Sequence, residues 1–321
     1  MRDSDSVLRD SRSLPREIEP GPRGVDALLL PPPGADSVPG YDGGWIGEGS
    51  ARSPFLGYVE RAPSVNWSEE LEGLHEESSR EHFIDVWTRR AMLARVGPLP
   101  ARAAIADIGC SSGYLLEDLR QAHPDASLIG VDLIASGLRK AHALVPQARL
   151  LQGDACELPL RDASLDAALS ANLLEHLPDD VAALSELRRV LRPGALAVVV
   201  VPAGPGVYDY YDRFLGHERR YGNGELARKG RSVGFEVLRD LHLGSLLYPP
   251  FWLVKQRNRR RFSRLDGEAL RQRVAGDIAG TGHSRTGAFA CRLEERLLRA
   301  GLRLPFGIRG LTVLRRPVAP R

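Results

Sequence analysis

The sequence predicts an α/β protein built on a doubly wound, mostly parallel sheet. Between residues 103 and 201, short apolar runs alternate with stretches of helical periodicity, the pattern of parallel strands joined by crossover helices. The first run ends in a glycine-bearing turn, Gly109-Cys110-Ser111-Ser112-Gly113, that passes straight into a helical pattern. The last run, residues 195–201, is apolar throughout, as a central strand covered on both faces requires. In such sheets, ligands bind beyond the carboxyl ends of the strands.

Each element has a local reason. Residues 103–108 form the first strand, and a helix is expected over 114–119. Between them, Gly109 and Gly113 permit positive φ and let a ligand approach bare backbone. Unpaired N–H groups at the helix start can receive polar or anionic ligand groups. The G-x-x-x-G spacing is not the G-x-G-x-x-G of dinucleotide enzymes. Residues 127–132 make the second strand and end in Asp132, a carboxylate placed to accept from ribose hydroxyls. A helix over 134–144 and a third strand over 148–153 follow, then Asp154-Ala155-Cys156. The fourth strand, 165–171, leads into Asn172-Leu173-Leu174-Glu175-His176. A helix over 179–191 meets stop chemistry at Arg192-Pro193-Gly194, so the fifth strand begins at Ala195.

Five motifs occur in order: Asp107-x-Gly109-x-x-x-Gly113, Gly130-Val131-Asp132, Gly153-Asp154-Ala155, Leu174-Glu175-His176-Leu177, and the run ending Leu191-Arg192-Pro193-Gly194. On these the chain resembles the class I S-adenosylmethionine-dependent methyltransferases, of the bacterial kind acting on small molecules or on lipid and glycan intermediates. The resemblance implies a Rossmann-like, seven-stranded sheet with an antiparallel last strand, and S-adenosyl-L-methionine as cofactor. By position, Asp107, Gly109, Cys110, Ser111 and Gly113 would line the cofactor's methionine end and sugar. Asp132 would hold the ribose, Leu133 would lie beside the adenine, and Asp154 and Ala155 would meet its edge. Ser170, Ala171 and Asn172 would face the sulfonium. Ser111 stands where the family often has a third glycine. His176 and His217 are the candidate catalytic residues, as bases if the acceptor must lose a proton.

Beyond the fifth strand, residues 207–221 hold four tyrosines, one histidine and three arginines. Such a mixture offers flat apolar surface and directed hydrogen bonds, which makes Tyr208, Tyr211, Arg219 and Tyr221 the candidate acceptor contacts. The alternative is structural: Arg219 and Arg220 bind nearby acids and the tyrosines staple a loop. The stretch resembles the H-x-R-x-Y-x-x-x-E-L region of bacterial family members through His217, Arg219, Tyr221, Glu225 and Leu226. A helix over 224–232, a sixth strand over 234–242, a helix over 288–300 and a seventh strand over 310–316 complete the expected domain (101–244 and 286–317). Residues 245–285 form an insertion. In it, 246–254 carries no charge, and 255–264 holds six basic residues in ten. Three readings stand: a membrane-surface contact through 246–264, a lid over the acceptor pocket, or an apolar strap with a solvated basic end.

The chain has 321 residues, 43% of them hydrophobic, and a net charge of +3. That is enough for one large domain with appendages, and the charge is too small to argue for nucleic acid. Three cysteines, at 110, 156 and 291, read as reduced thiols. The histidines are scattered with no metal-ligand spacing, so no metal is expected. The acidic start and the lack of a bilayer-length apolar run place the protein in the cytoplasm, with peripheral membrane contact as the only membrane role. Residues 1–65, rich in Ser, Pro and Gly, read as a disordered or loosely docked tail. Residues 66–100 read as a helical cap, with one helix from Ser68 and a second over 83–96. Two other classes compete: a nicotinamide oxidoreductase, which lacks the loop spacing, and a non-catalytic cofactor-binding or assembly protein of the same fold. The acceptor, a small molecule or a lipid-linked one, the atom methylated and the oligomeric state stay open.

Overall fold

In a computed structural model, the described residues are 24–47, 51–59, 80–262, 269–270, 272–274 and 284–318. The helix expected from Ser68 lies outside them. A small antiparallel ribbon, β1 (Trp45–Ile46) with β2 (Arg52–Ser53), precedes the main sheet. That sheet runs, edge to edge, through β3 (Leu56–Gly57), β6 (Arg149–Gln152), β5 (Ser127–Asp132), β4 (Ala104–Ile108), β7 (Leu165–Ala171), β8 (Leu191–Pro202), β10 (Arg309–Arg315) and β9 (Glu236–Leu243). β10 is antiparallel to both its neighbours, and the pairs from β3 to β8 are parallel. The sheet therefore has eight strands where seven were expected. The extra one, β3, is two residues long, too short to carry any periodicity in the sequence.

Alternate residues on each strand feed opposite faces. Ala104, Ala106 and Ile108 join one core, and Ile105 joins the other. The second core is covered by α1 (Phe83–Leu93), α2 (Tyr114–Ala122), α3 (Ala135–Leu144) and α8 (Arg285–Arg299). The first is covered by α4 (Asp180–Val190) and α6 (Glu225–Ser232). Residues 153–164, which join β6 to β7, contain no helix, so this face lacks the cover that a crossover helix would provide.

The tail fills that gap. Leu28, Leu29 and Trp45 are each 3% exposed or less and belong to the first core. The Trp45 indole donates to the Leu150 carbonyl at 3.0 Å, and Arg149 pairs with Asp26 at 2.7 Å. Residues 24–47 and 51–59, expected within a loosely docked tail, are therefore built into the domain. Apolar anchors spaced between prolines and glycines leave no period to read.

A second correction concerns Arg192-Pro193-Gly194. This is not a loop before the strand but an irregularity inside β8, which already pairs at Leu191 with Leu165 before shifting register to Leu196 and Ala167. Gly194 adopts φ +87° there, and Arg192 turns inward to an ion pair with buried Asp166. The insertion contains α7 (Tyr248–Arg261), with further helical residues at 269–270 and 272–274, and a short helix, α5 (Tyr210–Phe214), follows β8. No helix among the described residues is long and apolar enough to cross a membrane.

Candidate active site

The carboxyl ends of β4 to β8 open into a cavity of about 630 Å³, within the ~300–1,000 Å³ usual for small-molecule and cofactor sites. Its floor is the turn after β4. The N–H groups of Gly109 and Cys110 both donate to the Val131 carbonyl, at 2.8 and 3.1 Å, which folds the turn back over β5. Asp132 is held at the tip of that strand. Its Oδ2 accepts from the Ser111 N–H at 2.8 Å and its Oδ1 from the Ile134 N–H at 2.9 Å. The anchored carboxylate lines the cavity, where ligand hydroxyls can approach it.

Of the expected cofactor residues, Asp107, Gly109, Cys110, Ser111, Asp132, Leu133, Asp154, Ala155, Ala171 and Asn172 line the cavity. Gly113 and Ser170 are not among its lining residues. Gly113 has φ +84°, and a Cβ there would meet the Ala141 Cβ at 2.8 Å. Its missing side chain lets α2 lie against α3, which is a helix-contact role rather than a ligand-contact one. Ser170 is 1% exposed inside β7.

The expected acceptor residues divide. Tyr211 lines the cavity; Tyr208, Arg219 and Tyr221 do not. Arg219 donates to the carbonyls of Leu177 and Pro178 at 2.8 and 3.0 Å, and lies 3.3 Å from Asp180. The Tyr221 hydroxyl also reaches Asp180, at 2.5 Å, and Lys229 joins them at 2.6 Å. These groups tie the segment to α4, as the structural alternative held. Tyr208 donates to the His217 carbonyl at 2.7 Å.

The inward residue of the arginine pair is Arg220. It bonds Asp212 at 2.6 Å, and Asp212 also meets Lys255 at 3.4 Å and the His217 Nδ1 at 3.0 Å. Burial alone would raise the Asp212 carboxyl; the His217 hydrogen bond and the charges of Arg220 and Lys255 outweigh it and hold the group well below the usual range. The sequence places Lys255 in a solvated or head-group-facing basic run. It is 6% exposed and bonds Asp209 at 2.7 Å.

With Lys255, α7 contributes Phe251, Val254 and Asn258 to the cavity wall, the geometry of a lid. From the other side α1 contributes Asp85 and Thr88. Arg309 of β10 pairs with Asp85 and donates to Thr88 Oγ1 at 2.7 Å. Arg220 was legible in the sequence only as a partner of nearby acids, Lys255 only as one member of a basic run, and nothing marked Arg309; their inward direction comes from the fold.

His176 and His217 both reach the cavity, with ring centroids 4.7 Å apart. Glu175 lies beside them, fully buried, and desolvation pushes its carboxyl up to about 7 against the pull of His217. One ligating atom from each of Glu175, His176 and His217 lies within 4.8 Å of the others. Scattered histidines gave no sign of such a cluster, because residues 175–176 and 217 meet only through the fold.

Sheet order, the glycine turn and an acid closing the second strand define a Rossmann-like cofactor-binding domain. The family described as Methyltransferase domain matches residues 106–199. A Mycolicibacterium smegmatis S-adenosylmethionine-dependent methyltransferase is 31% identical over 160 residues, 47% of this chain and 60% of its own. A trans-aconitate 2-methyltransferase of an Azoarcus species is 36% identical over 122 residues, 37% of this chain and 47% of its own. The chain thus spans about half the length of the curated relatives it matches, 60% and 47% for these two. Among solved structures, a chain of the Haloferax volcanii complex between a methyltransferase activator and a methyltransferase shares the fold. Its TM-score is 0.51 at 20% identity, covering 78% of this chain and 94% of that one. Residues 106–199 thus match a methyltransferase domain, and the chain is similar to S-adenosylmethionine-dependent methyltransferases over part of their length.

The floor residues suit S-adenosylmethionine, the cofactor that the Mycolicibacterium relative is named for. Burial and the neighbouring Asp132 push the Asp107 carboxyl up to about 8, with Arg89 offsetting only part of this. A ligand bearing a sulfonium and an ammonium brings the positive charge that this pair of acids lacks.

Proposed function

We propose that the protein transfers the methyl group of S-adenosylmethionine to an oxygen-bearing small-molecule acceptor held under α7. The observation that carries this reading is that the anchored Asp132 and the Glu175–His176–His217 corner face one cavity. When bound, S-adenosylmethionine supplies an electrophilic methyl group on a positively charged sulfur. In-line displacement demands alignment above all, and such positioning reaches effective concentrations of about 10⁵–10⁸ M. Asp132 fixes the ribose end. Asn172, which has φ +53°, ends β7 between the cofactor floor and the histidine corner. His176 and His217 hold the acceptor's reacting atom, Tyr211 and Phe251 wall it in, and α1 with α7 keeps water out.

Asp132→Ala tests the cofactor assignment. Each charge-assisted hydrogen bond removed should cost about 1.5–3 kcal/mol, so S-adenosylhomocysteine affinity should fall at least tenfold by calorimetry. Unchanged affinity in a folded variant would refute the reading and favour a non-catalytic protein with this fold.

The outer face of α7 supports a second reading, in which the acceptor is lipid-linked. Trp252 and Leu253 are 46% and 64% exposed, and they adjoin Arg257, Arg260 and Arg261. Apolar side chains beside a basic cluster suit an anionic bilayer surface. The membrane would then lie against the lid rather than against the sheet.

A further inference from the structure

Glu175 and His176 lie in a 3-10 turn after β7 (Leu174–His176), and His217 lies beyond α5. Two observations show that their corner of the cavity is prepared for a ligand rather than satisfied by its own contacts. Glu175 is 1% exposed, and neither carboxylate oxygen has a hydrogen-bond partner on another residue among the described residues. A buried carboxylate left in that state is costly unless something positive completes it. His217, for its part, is oriented by Asp212. Their Nδ1–Oδ1 contact is 3.0 Å; in a neutral imidazole that donates from Nδ1 to the carboxylate, Nε2 is the nitrogen left to ligate. Asp212 is itself fixed by Arg220 and Lys255. A carboxylate behind an imidazole is how proteins orient a metal-binding histidine.

We propose that Glu175, His176 and His217 bind a divalent first-row transition ion, leaving at least one coordination position to an oxygen of the acceptor. Two imidazoles with one carboxylate suit zinc and its neighbours, whereas magnesium and calcium prefer oxygen donors throughout. Three protein ligands on a cavity wall leave the open position of a catalytic rather than a structural site. An ion there polarises the oxygen it holds and lowers the pKa of a bound hydroxyl. The acceptor class is therefore a hydroxyl, enol or carboxylate compound able to sit on the ion. That last step rests on the methyltransferase reading; the ion site does not.

The test uses full-length, untagged protein stripped with a chelator, then titrated with Zn²⁺ by calorimetry and with Co²⁺ by visible absorption. One equivalent should bind saturably, and Co²⁺ should show the bands of a four- or five-coordinate site. Glu175→Gln, nearly isosteric, and His217→Gln should each weaken binding at least about tenfold and alter the cobalt spectrum. S-adenosylhomocysteine affinity, measured on the same samples, reports whether each variant is folded. Wild-type protein that binds no ion overturns the site, as do folded variants with wild-type stoichiometry and affinity. Ion binding without cofactor binding keeps the site and overturns the methyltransferase reading; cofactor binding without ion binding does the reverse.

Discussion

Gly113 and Asp107 show how single residues carry consequences at odds with their first reading. Gly113 belongs to the cofactor motif, yet its hydrogen side chain serves helix contact. Gly113→Ala must hold an L-residue at φ +84° and force Cβ into Ala141. Left-handed strain of about 1–2 kcal/mol and overpacking of about 1–3 kcal/mol predict a loss of about 2–5 kcal/mol by chemical denaturation. Asp107 sets a pH dependence. Its folded pKa, about 8, lies above the unfolded carboxylate value, so between these the native state binds more protons than the unfolded one. Stability of the ligand-free protein should therefore fall as pH rises from the carboxylate range through about 8. Glu175, raised to about 7, acts in the same direction. Asp107→Asn should flatten the slope; pH-dependent denaturant midpoints identical to wild type would show that Asp107 is not the source.

At the scale of elements, α7 decides what the insertion does. Its inner face is pinned by Lys255 to Asp209 and Asp212, both 5% exposed or less. Removing one partner of a buried ion pair costs about 3–5 kcal/mol, because the other charge is stranded. Lys255→Ala should thus detach α7 or lower overall stability, and hydrogen exchange over 248–261 distinguishes the two. Its outer face makes an independent prediction. Each basic residue near an anionic surface contributes about 1 kcal/mol, so the protein should sediment with anionic vesicles at low salt and release as salt screens the charge. Trp252→Ala with Leu253→Ala should weaken this. A protein that stays in the supernatant at low salt leaves α7 as a lid alone.

On the scale of the whole molecule, the tail substitutes for a missing crossover helix. Leu28, Leu29 and Trp45 complete the cover that residues 153–164 give this face only through Ala155, Leu158 and Leu160, and β3 pairs with the β6 edge, which would otherwise expose unpaired backbone. Trp45→Ala should cost about 3–5 kcal/mol, the usual range for emptying a buried aromatic site. If the tail is part of the domain, fluorescence and circular dichroism should report one shared transition, displaced to lower denaturant in the variant. A separate early transition would mean that the tail folds on its own.

Alternation of apolar runs with helical periods is local, and by itself it determined the succession of strands and helices from 103 to 201 and placed the glycine turn and Asp132 at strand ends; the cofactor followed only from the family that these motifs resemble. Burial on one face or two shows in sequence whenever an element is long enough to repeat. The tertiary structure decided everything that depended on which distant residues meet. It turned Arg220 inward and Arg219 toward α4, buried Lys255 from within a basic run, and brought His217 to Glu175 and His176. It also converted Arg192-Pro193-Gly194 from a stop signal into an irregularity of β8. Neighbouring residues on a short, irregular segment have no period to reveal which way each points. That choice is made by the charges and cavities the rest of the chain presents, and these exist only after folding.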